Sequence, residues 1–160
     1  MSSTTYTCRQ RLEEYFIRND VGFAEQHHPT AFTAQEVAAS DHVSGRIVAK
    51  VVMVRADGRL AMLVVPAPKR VDLGKAAAAL GAADLRLAHE EEFAEVFPDC
   101  EPGAMPPFGN LYEVPVCTDR ALAENLNLVF QAGTHTESMG IRFEDYERLV
   151  QPDLADLTED

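Results

Sequence analysis

Three groups of residues have types and spacing that could do chemistry. The first is Lys50, in the run Val48-Ala49-Lys50-Val51-Val52-Met53-Val54. Alternate residues of a strand share a face, so Lys50 lies on the side of Val48, Val52 and Val54. A lysine among valines needs an anionic partner or loses its proton, unless it snorkels at a sheet edge. The second group is the loop Glu101-Pro102-Gly103-Ala104-Met105-Pro106-Pro107-Phe108-Gly109. Its prolines fix φ and offer no N–H, which excludes helix and central strand. Its glycines allow the backbone to approach a ligand closely. The third is Ala132-Gly133-Thr134-His135, a small-residue strand end followed by the side chain best suited to proton transfer near neutral pH. A lone histidine can equally be structural. The last two groups read as walls of one small-molecule pocket.

No nucleophile accompanies them. Cys100 stands beside the loop, but its neighbours Asp99 and Glu101 would raise a thiol pKa. There is no Gly-x-Ser-x-Gly elbow and no Gly-x-x-x-x-Gly-Lys phosphate loop. The histidines His27, His28, His42 and His89 lack helical His-x-x-x-His spacing, and no Cys-x-x-Cys is present, so neither a metal nor another cofactor is expected. A rigid loop and an inward lysine without a nucleophile suit an enzyme that positions water and reads a small substrate with backbone groups. A pure binding domain fits the same residues.

The 160 residues predict a single domain, spanning 1–160, and 46% hydrophobic content allows a sizeable core. The first residues have no basic start followed by an apolar run, and no stretch approaches the roughly 20 apolar residues of a membrane span. Three widely spaced cysteines fit a reducing, cytoplasmic compartment. The net charge of −12 argues against broad coating of nucleic acid. Residues 46–75 run the other way: Arg46, Lys50, Arg55, Arg59, Lys69, Arg70 and Lys75 stand against Asp57 and Asp72 alone. Such a cluster can contact phosphates or protect a sheet edge.

These groups must be positioned by local elements. Leu12, Tyr15 and Phe16 predict a helix over 7–18. A short strand is expected within 21–28. Thr33 and Glu36 form a capping-box pattern opening a short helix to about residue 39. Two β-rich runs, 47–54 and 60–65, flank Asp57-Gly58 and predict a hairpin. Asp72 opens a helix through the alanine run 76–79, with Gly81 as its C′ residue. A strand over 85–88, an acidic helix over 90–97, a strand over 111–117, a helical turn near 120–125, a strand over 127–131 and another within 134–141 follow. A closing helix carries Phe143, Tyr146, Leu149 and Val150, and the acid-rich segment 152–160 should fray, as should the N-terminus. The order predicts an α+β fold on a mixed, mostly antiparallel sheet.

At these residues the chain resembles the YbaK/prolyl-tRNA synthetase-associated domain family. The matching pieces are His28 to Ala38, the strand Val48-Ala49-Lys50-Val51-Val52, Val65-Pro66 with Lys69 to Leu73, Leu80-Gly81, Gly103 to Gly109, and Ala132 to His135. They span most of residues 20–150. The resemblance implies a partly barrel-like sheet flanked by helices. It also implies hydrolysis of wrongly charged aminoacyl-tRNA in trans, by water, without a covalent protein nucleophile. Under that reading Lys50 holds the terminal nucleotide or orients the ester. The backbone near Gly103, Ala104 and Gly109 stabilises the oxyanion, and Thr134 and His135 shape the pocket and polarise water. Pro106, Pro107 and Phe108 limit the size of the substrate, with Phe32, Met105 and Gly133 also lining the pocket. Arg46, Lys69 and Arg70 would meet tRNA phosphates. The expected partners are the acceptor end of a mischarged tRNA and an aminoacyl-tRNA synthetase, with no DNA and no membrane, in a monomer or homodimer. The rival readings are a non-catalytic module that binds an aminoacyl or nucleotide ligand, and a hydrolase of small esters.

Overall fold

A computed structural model describes residues 7–27, 34–41 and 44–160. The expectations for His28, Phe32, the Thr33 cap and His42 lie outside the described residues. Helix α1 (Cys8–Arg18) starts at Thr7, whose hydroxyl accepts from the Gln10 N–H while the Gln10 side chain accepts from the Thr7 N–H. Cys8, Leu12 and Phe16, four apart, form its buried stripe. Strand β1 (Ala24–His27) and helix α2 (Ala34–Asp41) follow.

The hairpin of β2 (Ala49–Ala56) and β3 (Arg59–Pro66) forms where the alternation predicts it. Asp57 and Gly58 both take positive φ, as a two-residue hairpin turn requires. The Asp57 carboxylate also accepts from the N–H groups of Ala83 and Asp84, tying this turn to the next one. Helix α3 (Leu73–Leu80) is capped by Asp72, whose carboxylate accepts from the Lys75 N–H at 3.0 Å, and it ends at left-handed Gly81. Strand β4 (Leu85–Leu87), helix α4 (Glu90–Phe93), β5 (Val116–Asp119), β6 (Asn127–Gln131), β7 (Glu137–Arg142), helix α5 (Phe143–Val150) and β8 (Asp153–Ala155) complete the chain.

The strands make two sheets, ordered β1-β7-β6 and β4-β2-β3-β5-β8. All pairings are antiparallel except β3 with β5 and β5 with β8. A parallel bridge between Val48 and Val129 joins the sheets, and they do not close into a barrel. The main core lies between them. Phe108 is fully buried at its centre, with ring centroids 5.3 Å from Phe130 and 5.5 Å from both Phe16 and Tyr146.

Three local expectations are corrected. The strand expected over 111–117 begins only at Val116. Residues 109–112 form a 3₁₀ turn that ends at left-handed Glu113. Contacts from elsewhere impose this: the Arg11 guanidinium lies 4.6 Å from the Tyr112 ring centroid and donates to the Leu111 carbonyl at 2.6 Å. The acidic helix stops at Phe93 rather than 97, and Phe97 instead packs 4.5 Å from Tyr112. The C-terminal segment is not frayed. β8 pairs with β5, Leu157 is fully buried, and Lys75 reaches Asp156, Asp160 and the Thr158 carbonyl. One lysine from α3 thus offsets the acids of the tail while its leucines complete a core.

Candidate active site

The loop and the strand end meet as expected. The Glu101 N–H donates to the Gly133 carbonyl at 2.7 Å, and the Gly133 N–H donates to the Ala104 carbonyl at 3.0 Å. The Glu101 carboxylate accepts from the His135 N–H at 2.8 Å. Gly133 has φ of +95°, and an added Cβ would stand 2.4 Å from Cys8 Cβ, so only glycine fits this corner.

Both ring nitrogens of His135 have partners. Nε2 lies 2.8 Å from the Pro102 carbonyl, which can only accept, so Nε2 carries the proton. Nδ1 then accepts from the Gln131 amide at 3.4 Å. In this structure the ring links loop and strand, with its proton donated to the Pro102 carbonyl.

The loop divides into two parts. Glu101, Pro102 and Gly103 are exposed, while Ala104 to Gly109 are buried. Ala104 and Phe108 have no accessible surface. The Ala104 N–H donates to the Glu101 carbonyl at 3.0 Å and does not point at a substrate. The structure thus ties the Ala104 N–H into the loop and places Phe108 in the core, where an aromatic residue buries the most apolar area. Met105, Pro106 and Pro107 are buried with them. Gly109 is needed for close approach, since a Cβ there would meet the Val114 carbonyl at 2.7 Å.

Lys50 is half-buried between Val48 and Val54, both fully buried. Its ammonium donates to the Lys69 carbonyl at 2.6 Å. Burial lowers its pKa, and the Arg70 charge lowers it further. Arg46, Lys69 and Arg70 are exposed, and a Cβ on Gly45 would stand 3.5 Å from Pro68, which sets the turn carrying Arg46 beside the Lys69–Arg70 segment that Lys50 contacts.

Register builds a polar row at the histidine corner. Gln26 pairs with Ser138, and Ser138 with Gln131, so these three share a cross-strand row on the outer face of the β1-β7-β6 sheet. Ser138 and Gln131 are themselves buried, and the Gln131 amide meets the His135 ring. The neighbouring row is Ala24, Gly140 and Val129, which the isolated parallel bridge joins to Val48, two residues before Lys50. Beside it lies an open groove of about 470 Å³, lined among others by Phe23, Ala24, Ile47, Val129, Ser138 and Gly140. Sequence reading missed Gln26, Gln131, Ser138 and the groove. The available signal was alternation: in 127–131 and 137–141 the positions opposite the buried Leu128, Phe130, Met139 and Ile141 carry the small and polar residues.

The profile of the aminoacyl-tRNA editing domain family matches residues 28–149. The chain belongs to that family. A crystal structure of a candidate trans-editing enzyme for prolyl tRNA synthetase aligns with a TM-score of 0.82 at 22% identity, over 98% of this chain and 100% of that one. A scaffold protein from computational epitope backbone grafting gives 0.83 at 23% identity, over 96% and 97%. A hypothetical protein, APE2540, gives 0.83 at 20%, over 93% and 99%. At such identities the likeness is one of fold. No curated protein matches the chain. Among the described residues no helix is long and apolar enough to cross a membrane.

Proposed function

We propose that this chain hydrolyses the ester of mischarged aminoacyl-tRNA in trans, in the cytoplasm. The observation that carries the proposal is the family match over residues 28–149, which takes in Lys50, the Gly103–Gly109 loop and the His135 corner. The aminoacyl ester lies along the groove, with its carbonyl toward the row. Water attacks the carbonyl carbon, and the charge that develops on the oxygen is met by Lys50 and by backbone donors at the exposed Gly103 end of the loop. The neighbouring ribose hydroxyl assists. The tetrahedral intermediate collapses with release of the ribose oxygen, which takes up a proton, and the amino acid leaves as its carboxylate. No protein atom is acylated, in keeping with the absence of a nucleophile–base pair in the sequence.

Arg46, Lys69 and Arg70 take the phosphates of the acceptor end, and such contacts position the tRNA without reading its sequence. An acidic chain with one basic edge binds only that end, or binds it together with a synthetase. Thr134 and Gly133 shape the corner. His135 is a positioning residue.

The test is a panel of tRNAs: alanine, serine, threonine and cysteine on proline tRNA, and serine and alanine on other tRNAs, each with the native chain and with Lys50→Ala. Lysine-dependent loss of one or two aminoacyl groups is expected. Protection of the ester from spontaneous hydrolysis would instead define a binding module. Equal turnover of simple aminoacyl esters would define a small-ester hydrolase.

A further inference from the structure

Against the Gly133 corner, four groups that the proposed chemistry does not use come together. They are Cys8 on the first turn of α1, Asp99 and Cys100 on the segment before the loop, and Tyr112 on the 3₁₀ turn. The ligand atoms of Cys8, Asp99 and Cys100 lie within 4.8 Å of one another. We propose that Cys8, Asp99 and Cys100, with Tyr112 at the fourth vertex, bind a tetrahedral divalent transition-metal ion of the Zn²⁺ class.

The distances carry the argument. Zn–S bonds of about 2.3 Å and Zn–O bonds of about 2.0 Å make a tetrahedron whose edges are about 3.3–3.8 Å. Here Cys100 Sγ is 3.7 Å from Asp99 Oδ1 and 3.6 Å from Tyr112 Oη. Cys8 Sγ is 3.9 Å from Tyr112 Oη, which in turn is 3.0 Å from Asp99 Oδ1. Since the Cys8, Asp99 and Cys100 ligand atoms lie within 4.8 Å of one another, side-chain movements of up to about 1 Å convert this hydrogen-bonded cluster into a coordination shell. Two thiolates and a carboxylate are the soft and borderline donors that select Zn²⁺ over Mg²⁺ or Ca²⁺.

The surroundings suit a bound ion. A cavity of about 350 Å³, lined by Cys8, Asp99, Cys100, Ala132 and Gly133, gives an entry path. Two thiolates and one carboxylate leave a dication with one net negative charge. The Arg11 guanidinium, 3.9 Å from Asp99 and stacked over Tyr112, stands ready to balance it. Binding releases one proton from each thiol to solvent, with no change of oxidation state. The ion would pin α1 to residues 99–101, and Glu101 of that segment holds the His135 backbone. The expectation of no metal came from spacing within the sequence. These ligands come from positions 8, 99 and 100 and meet only through the fold.

The experiment is a Co²⁺ titration of the full chain, reduced and stripped with chelator. The expected result is one equivalent bound with a thiolate-to-cobalt charge-transfer band and tetrahedral d–d bands, all removed by Zn²⁺. Cys8→Ser and Cys100→Ser should each abolish the band. Asp99→Asn should weaken binding at least tenfold, and Cys117→Ser should leave it intact. A second readout needs no variant: Zn²⁺ should protect Cys8 and Cys100, but not Cys117, from alkylation under conditions that expose all three. The proposal is overturned if no band forms, or if the band survives loss of both cysteines. It is equally overturned if Zn²⁺ protects neither thiol, or if the pair yields a disulfide, two hydrogens lighter, in place of metal uptake.

Discussion

The two faces of the β1-β7-β6 sheet are built from alternate residues of the same strands, yet they have opposite characters. The inner face presents Leu128, Phe130, Met139 and Ile141, all nearly inaccessible, to Phe16 and Phe108. The outer face presents Val129, Gln131, Ser138 and Gly140, with Gln26 extending the row beside an open groove, and its polar members Gln131 and Ser138 are buried under hydrogen-bonded neighbours rather than packed into the apolar core. The loop from Glu101 to Gly109 serves both. Its buried half plugs the inner core, and its exposed half braces His135. On the proposed function, variants of the inner face should report on stability and variants around Lys50 on chemistry.

The largest effect should come from the inner face. Phe108→Ala should cost about 3–5 kcal/mol of stability, as for other fully buried aromatic truncations, read as a fall in the midpoint of denaturant unfolding. A loss under about 1 kcal/mol would mean that the loop does not anchor the core. Lys50→Ala should lower deacylation roughly 10²-fold, the scale for removing one preorganised charge-stabilising donor. The same variant should change stability by less than about 1 kcal/mol. Equal losses of activity and stability would erase that distinction.

A pH profile sharpens it. Burial and Arg70 lower Lys50 below its ordinary 10.5. After subtraction of uncatalysed hydrolysis, the alkaline limb of activity should therefore fall below 10.5, and Lys50→Arg should move it upward. The native chain gives up this proton before the unfolded chain does. Lys50 should thus make stability rise with pH across that same window, while activity falls. The smallest effect belongs to the charged rim of the inner face, where Arg9 meets Glu13, Glu25 and Glu137. Burial raises the Glu13 pKa, and its hydrogen bond and charge interaction with Glu25 raise it further. A raised carboxyl favours the folded state at low pH and loses that contribution as pH rises through its folded value. Glu13→Gln should therefore raise the melting temperature slightly at pH 7, with the gain vanishing below about pH 4.5.

Much of the framework was legible in the residues because its signals are local. The Asp57-Gly58 turn, the Asp72 and Gly81 caps of α3, the alternation of β2 and the stripe of α1 each act over a few residues, and all formed as read. The capping box of Thr7 and Gln10 was equally local and was overlooked. The Gly–Pro loop could be read as rigid and irregular for the same reason. Which half of it faced the core could not, because Phe108 is placed by rings from α1, β6 and α5.

The sequence by itself determined the Asp57-Gly58 turn, the Asp72 and Gly81 caps of α3, and that Lys50 shares a face with valines. Turn chemistry, capping and period-two alternation need no partner from elsewhere in the chain. Only the tertiary structure decided that the Lys50 ammonium reaches the Lys69 carbonyl, that Cys8 meets Cys100, and that the acidic tail becomes a strand. Each of these depends on register between strands, or on packing between segments far apart, and a sequence pattern carries the alternation of a strand but not the identity of its neighbour.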